Sequence, residues 1–498
     1  MTRVLGIVCA LSLLYTGHDT SAAADAGPIA WDMASFVRVV NPMRHDPGGR
    51  LPLFLWNVPL PRDAALVKMR RDGTLRRAIE QMAERGFVPT VEMGWEWTPE
   101  GALAMAETLR EAGRPVYLLI PDAQLIERGA YGDTSVWIAG PDAAAGGRQR
   151  LWPCLPLADP RPSAARVRDL LLPFKDAGIA VSGVWFDDEA LPHPWNGVYE
   201  AQVGSAACRR HYPPGALADW TPFQRYVLEL RTVLQSAVMA DAVHAVFPGA
   251  LVGNYYEFAS SAAVPFVDER GNVYPPRSLG RLDALMPSAY ANTIHLARHS
   301  GTDQRPTQEW ADRTYFFLLL RTVSTANANK PRGKVSVPYV SRFVPDDPAP
   351  RVRFGMSQPV YRELIRHVLL RGSDGLYLFN LGYPGSPVTP AESFESVEDA
   401  RAVYDELLAH REFLDRGRPM TYAVPAIDRE PVIWSGLCLA DRCLVRAVTL
   451  GAETRQVELD PFPGVRVVVR APRAGATYVI HRDGRITEVE KMPRAGGS

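Results

Sequence analysis

The residues best suited to chemistry end an apolar run, Val181-Ser182-Gly183-Val184-Trp185-Phe186-Asp187-Asp188-Glu189. A buried strand tolerates acids only where it leaves the core, so these three carboxylates place the chemistry at a strand's C-terminal edge. Side chains alternate along a strand, so Asp187 and Glu189 share one face and Asp188 takes the other. The resulting D-x-E pair has the parts of a general acid and a neighbour that tunes it. An acidic turn capping a strand has the same composition, and both readings stand at this point.

Further acids and aromatics sit at the ends of other apolar runs. Trp56-Asn57-Val58-Pro59 closes the first, Glu92 and Glu96 stand with Trp95 and Trp97 in the second, and Asp122 closes the third. Glu257 follows Asn254-Tyr255-Tyr256, Tyr290 ends the run that starts at Leu282, and Phe379 lies in Gly375-Leu376-Tyr377-Leu378-Phe379-Asn380. Trp195 falls in the connection after the acidic run. The ten histidines show no His-Glu-x-x-His or other paired metal spacing, so neither a catalytic metal nor a cofactor is expected. No Gly-x-Ser-x-Gly elbow argues for an esterase.

The elements that must position these residues alternate. Strands are expected over residues 53–59, 88–97, 115–122, 181–189, 251–258, 282–290, 335–340 and 375–380. Helical periodicity runs through Leu66, Met69, Leu75, Ile79 and Met82, then over 100–112, and again through Val167, Leu170, Leu171 and Phe174. Thr221 and Pro222 read as an N-cap and first-turn pair for a long helix along Phe223, Val227, Leu230, Leu234 and Val238. Further helices are expected near 307–325, 360–370 and 397–411, while 25–50 reads as an irregular lead-in.

Eight strands alternating with helices predict an α/β fold, a (β/α)8 TIM barrel with enlarged loops at 123–160 and 190–217. A doubly wound open sheet is the alternative, but no glycine-rich phosphate loop follows the first strand. Barrel strands carry their active site at their C-terminal ends, where the acids and aromatics above fall. After Arg418 short β-rich stretches at 432–434, 443–450, 465–469 and 477–481 predict a small antiparallel, β-sandwich-like module. The expected division is therefore 1–24, 25–418 and 419–498.

Residues 1–24 read as a signal peptide, with Arg3, an apolar run over 4–15, and Ser21-Ala22-Ala23-Ala24 as a cleavage site. A secreted or periplasmic protein is expected. Cleavage would remove Cys9 and leave Cys154, Cys208, Cys438 and Cys443, for which the pairs Cys154–Cys208 and Cys438–Cys443 are expected, with buried thiols as the alternative. The chain carries 55 basic and 55 acidic residues, which argues against a nucleic-acid partner. No stretch is long and apolar enough for stable membrane insertion.

The strand-four acids and the strand number together resemble the chitinase-type barrels, whose fourth strand ends in D-G-x-D-x-D-x-E. Asp187 and Glu189 match the last two acids, while Ser182 and Trp185 replace the first two. Trp56-Asn57-Val58-Pro59 is similar to the W-N-x-P of the hyaluronidases, whose fourth strand also ends in D-x-E. Asp188 stands where those families usually have Trp, and Phe379 near where a strand-eight Trp would floor the sugar site.

The resemblance implies a retaining glycoside hydrolase that cleaves a polysaccharide next to an N-acetylhexosamine, with the substrate's acetamide oxygen as nucleophile. It implies Glu189 as general acid and then base, and Asp187 as partner of the acetamide N–H, its charge raising the pKa of Glu189. Tyr290 would hydrogen-bond the acetamide oxygen. Trp56, Asn57, Glu92, Glu96, Asp122, Asp188, Trp195, Glu257 and Phe379 would line the substrate. Glu92, Glu96 and Glu257 also read as a salt-bridged rim, or as the base of an inverting enzyme. A glycosidase of other linkage and a non-catalytic glycan-binding barrel are the alternatives.

Overall fold

The computed structural model describes residues 28–61, 63–93, 99–122, 125–131, 137–139, 151–189, 196–290, 307–343, 355–382, 386, 388–425 and 432–489. The signal-peptide reading, Trp95, Glu96, Trp97 and Trp195 lie outside them.

The chain is a mixed α/β protein with parallel sheets, followed by an antiparallel sheet. The parallel strands fall inside the eight expected runs: Phe54–Leu55, Val91–Glu92, Val116–Ile120, Val181–Phe186, Leu251–Asn254, Ala284–Leu285 with Ser288–Ala289, Val335–Ser336 with Tyr339–Val340, and Tyr377–Leu378. The sixth and seventh runs are each cut in two by a proline, Pro287 or Pro338, which has no N–H to give. Their carbonyls still take part in the pairing: Tyr339 N–H donates to Pro287 at 3.0 Å and Tyr377 N–H to Pro338 at 3.0 Å. A parallel bridge joins Leu53 to Phe87, linking the first run to the second.

Alternation along these strands separates two apolar layers. Phe54, Tyr117, Trp185, Tyr339 and Tyr377 belong to one buried cluster, while Leu53, Leu55, Val340, Leu376 and Leu378 belong to another with the helices Gln308–Ala328, Gln358–Leu369 and Pro390–Leu408. Trp185 lies flat against Tyr117, with ring centroids 5.9 Å apart and planes 6° apart, and edge-on to Phe54 at 5.5 Å. Space here is tight. A Cβ on Gly253 would stand 2.6 Å from Met286 Sδ and 2.9 Å from Ala284 Cβ.

Several local expectations need correction. The lead-in contains a helix, Met33–Val39, whose N-cap Asp32 accepts from Ser35 N–H at 2.8 Å. The first long helix is two, Ala64–Arg71 and Thr74–Glu84, because Gly73 takes a left-handed φ of 77° between them. The cap expected at Thr221 is Asp219: its carboxylate accepts from Trp220 N–H, and Thr221 and Pro222 lie inside the first turn. Asp outranks Thr as a cap, and proline fits the first turn, where its missing N–H costs nothing.

Both cysteine pairs are formed, Cys154–Cys208 and Cys438–Cys443. The C-terminal strands Val432–Cys438, Arg442–Thr449, Ala476–His481 and Ile486–Val489 pair antiparallel, with a separate hairpin of Arg455–Phe462 and Val465–Ala471. Helix Gln358–Leu369 packs on this sheet. Across the contact Arg446 Nε meets Glu363 Oε2 at 2.9 Å, and Ser435 Oγ meets both His367 Nδ1 and Arg371 Nε at 2.8 Å.

Candidate functional site

The strand Val181–Phe186 delivers its acids as alternation requires. Trp185 points into the aromatic cluster, so Asp187, two residues on, points the same way and is 9% exposed, while Glu189 reaches solvent. The two carboxyls hydrogen-bond each other. Burial first, then the negative charges of Glu189 and Asp188, holds the Asp187 carboxyl well above the usual carboxylate range. The protonated form of Asp187 is favoured accordingly. Of the two, Asp187 is the deeper and Glu189 the one open to solvent.

Asp188 takes the other face. Its Oδ2 accepts from Ile126 N–H at 3.1 Å, near the start of helix Leu125–Ala130, and its N–H donates to Asn254 Oδ1 at 2.9 Å. Its carbonyl accepts from Arg231 at 3.1 Å. The side chain expected to line the substrate is 1% exposed and anchors strand four to its neighbours.

Glu257 takes the ion-paired one of the roles expected of it, in the interior rather than on a rim. It is wholly buried, with Oε1 2.9 Å from Arg231 Nε and Oε2 2.5 Å from Arg277. Burial alone would raise its pKa, but the guanidinium of Arg277, then that of Arg231, hold it below the ordinary value. The cause is local. Tyr256 sits at φ 63°, a left-handed conformation costing a bulky residue about 1–3 kcal/mol, and it breaks the alternation that would have sent Tyr255 and Glu257 to one face. Tyr256 is secured by its hydroxyl, which donates to Asp268 Oδ2 at 2.9 Å.

Tyr255 turns instead toward the carboxyl pair. Its hydroxyl hydrogen-bonds that of Tyr290, and the rings are near parallel with centroids 6.1 Å apart. Burial raises the pKa of both phenols well above the ordinary value, with the charge of Glu189 adding to it, so both stay neutral donors. Phe379 stacks on Tyr290 at 4.8 Å, and Trp56 leans on Phe379 at 5.7 Å and on Tyr339 at 6.0 Å. These aromatics and the acid pair come together at the C-terminal ends of strands one, four, five, six, seven and eight.

The remaining expected residues are scattered around this cluster. Asn57 is tied to strand eight: its N–H donates to Asn380 Oδ1 at 3.0 Å and its amide to the Asn380 carbonyl at 2.7 Å. Glu92 is half-buried on strand two, where its charge acts on Tyr377. Asp122 is 7% exposed, and its carbonyl receives Leu125 N–H at 3.0 Å.

Sequence reasoning passed over Tyr255 and Tyr339. The hydroxyl of Tyr339, wholly buried and within the field of Asp187 and Glu189, meets no hydrogen-bond partner among the described residues, nor do Trp185 Nε1 and Ser288 Oγ. A polar tip on an otherwise apolar strand, as in Val337-Pro338-Tyr339-Val340, was the available signal. Among the described residues no group of three or more His, Cys, Asp or Glu could hold a metal ion.

No known protein family matches the chain, and no curated protein does. Among solved structures the chain is similar to the debranching enzyme of Nostoc punctiforme, at 12% identity and a TM-score of 0.45 over 88% of this chain and 99% of that one. It is also similar to a cyclic alpha-maltosyl-(1-->6)-maltose hydrolase from Arthrobacter globiformis, at 13% identity and 0.40 over 88% and 94%. An alpha-galactosidase from Geobacillus stearothermophilus follows at 13% and 0.38 over 86% and 51%.

Proposed function

We propose that the chain is a glycoside hydrolase whose residues 25–418 form a closed (β/α)8 barrel, and that it cleaves a polysaccharide beside an N-acetylhexosamine with retention. The observation that carries the reading is the hydrogen-bonded Asp187–Glu189 pair, set at strand ends among Trp56, Tyr255, Tyr290 and Phe379. Hydrogen bonds from strand one to strands two and eight support closure.

In this reading Glu189, at the solvent side, exchanges protons with the glycosidic oxygen and then with water. Asp187 lies beneath it and supplies the neighbouring proton. The Tyr255–Tyr290 hydroxyls hold the acetamide oxygen in line as it bonds to the anomeric carbon, while the bond from that carbon to the glycosidic oxygen breaks and Glu189 protonates the leaving oxygen. The aromatic faces stack on sugar rings. Export and cleavage of residues 1–24 belong to the same proposal, which the two disulfides support.

The test is product release from hyaluronan, chondroitin, chitin and non-acetylated β-glucan oligomers by wild type and Glu189→Gln. Cleavage of acetamido glycans alone, with a loss of about two orders of magnitude or more in the variant, is expected. Equal cleavage of de-acetylated glycans, or an active variant, refutes it.

A further inference from the structure

The first and eighth strands meet over only two residues each, Phe54–Leu55 on Tyr377–Leu378. The last backbone bond between them runs from Trp56 N–H to the Leu378 carbonyl at 2.9 Å. One residue further on, two side-chain amides take over. Asn380 Oδ1 accepts from Asn57 N–H at 3.0 Å and Asn380 Nδ2 donates to the Asn57 carbonyl at 2.8 Å, so one amide spans both polar groups of the Asn57 backbone. Asn57 Nδ2 returns a third bond to the Asn380 carbonyl at 2.7 Å. A backbone N–H only donates and a carbonyl only accepts, so the Asn380 amide has a single orientation that makes both of its bonds.

This clasp flanks the aromatic residues of the site. Trp56 precedes Asn57 and Phe379 precedes Asn380, and the two rings are 5.7 Å apart. Each aromatic residue has its own N–H bonded, Trp56 to Leu378 and Phe379 to the Val340 carbonyl at 2.8 Å. The N–H that follows each is held as well, Asn57 by the clasp and Asn380 by the Leu378 carbonyl at 2.9 Å. The peptide planes on both sides of each aromatic residue are therefore fixed, and with them the direction of its Cα–Cβ bond. Both rings are half-buried, with part of each left to meet a ligand, while Asn380 is 3% exposed and lies beneath them.

We propose that Asn380 is a positioning residue for sugar binding: its amide, clasped on Asn57, sets the angle between the Trp56 and Phe379 rings, and Asn57 serves the clasp instead of touching the substrate. This rests on the reading of these aromatics as a sugar-stacking surface given above.

The test measures affinity for hyaluronan, chondroitin and chitin oligomers by titration calorimetry at pH 7 and pH 5, in a Glu189→Gln parent so that bound glycan is not consumed. Melting temperatures are taken alongside. Asn380→Asp keeps the acceptor for Asn57 N–H but sets a carboxylate oxygen against the Asn57 carbonyl. Its affinity at pH 7 should fall about tenfold below the parent's. At pH 5 a carboxyl held against a carbonyl takes up a proton and donates as the amide did, so most of that loss should be recovered. Asn57→Ala removes one bond of the three and leaves its own backbone clasped, so it should lose only about two- to fivefold. With Glu189 restored, Asn380→Asp should raise KM on whichever glycan wild type cuts and leave kcat within about twofold.

An Asn380→Asp protein that melts lower yet binds like its parent at pH 7, or whose loss is the same at pH 5, overturns the proposal, because the clasp then only closes the seam between the strands. A larger loss in Asn57→Ala than in Asn380→Asp overturns it too, since Asn57 then touches sugar itself. Should Asn380→Asp fail to fold, Asn57→Ala decides, and a loss outside about two- to fivefold overturns the proposal. A wild type that binds oligomers and cuts none sinks the hydrolase reading and leaves the clasp standing on these affinities; one that binds none sinks both.

Discussion

Glu257→Gln should destabilise the protein without removing any group from the proposed site. The change keeps shape and leaves Arg231 and Arg277 without their carboxylate. The three side chains are 0%, 3% and 2% exposed, so water cannot replace it. Removing one partner from a buried ion cluster costs about 3–5 kcal/mol, because the remaining charge stays uncompensated. For a folding unit of roughly 400 residues, with unfolding entropy of about 2 cal/mol/K per residue, that is a fall in melting temperature of about 4–6 °C. The assay is thermal unfolding of the oxidised protein at pH 7. Adding Arg277→Met to Glu257→Gln should recover part of the loss, since one uncompensated cation goes with it. Because the folded carboxyl is depressed, its contribution is present above the unfolded pKa of about 4.5 and fades as pH falls, so the two proteins should converge in acid. An unchanged melting temperature at pH 7, or a double variant worse than the single one, would refute the reasoning.

Two further outcomes follow from packing and cross-links. Gly253→Ala places a methyl among Met286, Ala284 and Trp185; overpacking of this kind costs about 1–3 kcal/mol, and a urea midpoint equal to wild type would count against the described interior. Replacing Cys154 and Cys208 together by Ser opens a loop with a sequence separation of 54, for a loss of about 4 kcal/mol by loop entropy. That loss should show as a lower urea midpoint, absent when wild type is compared in reductant.

The parallel strands were legible because each is a short apolar run whose far end turns polar, and the alternation that separates Asp187 from Asp188 follows from strand geometry alone. The same rule does not carry through strand five to Glu257, because one residue, Tyr256, leaves the β region and rotates everything after it. No local pattern announces that, since only Gly and Asn signal a left-handed φ.

The contact between helix Gln358–Leu369 and the C-terminal sheet bears on how the chain can be dissected. Glu363, His367 and Arg371 belong to the first unit by sequence, yet their hydrogen-bonding partners Arg446 and Ser435 come from the second. A protease nick between the units would leave both fragments docked, while a gene truncated near residue 418 would expose a face of helix built to be covered. The end of the helical region is thus a boundary in composition that these buried hydrogen bonds cross.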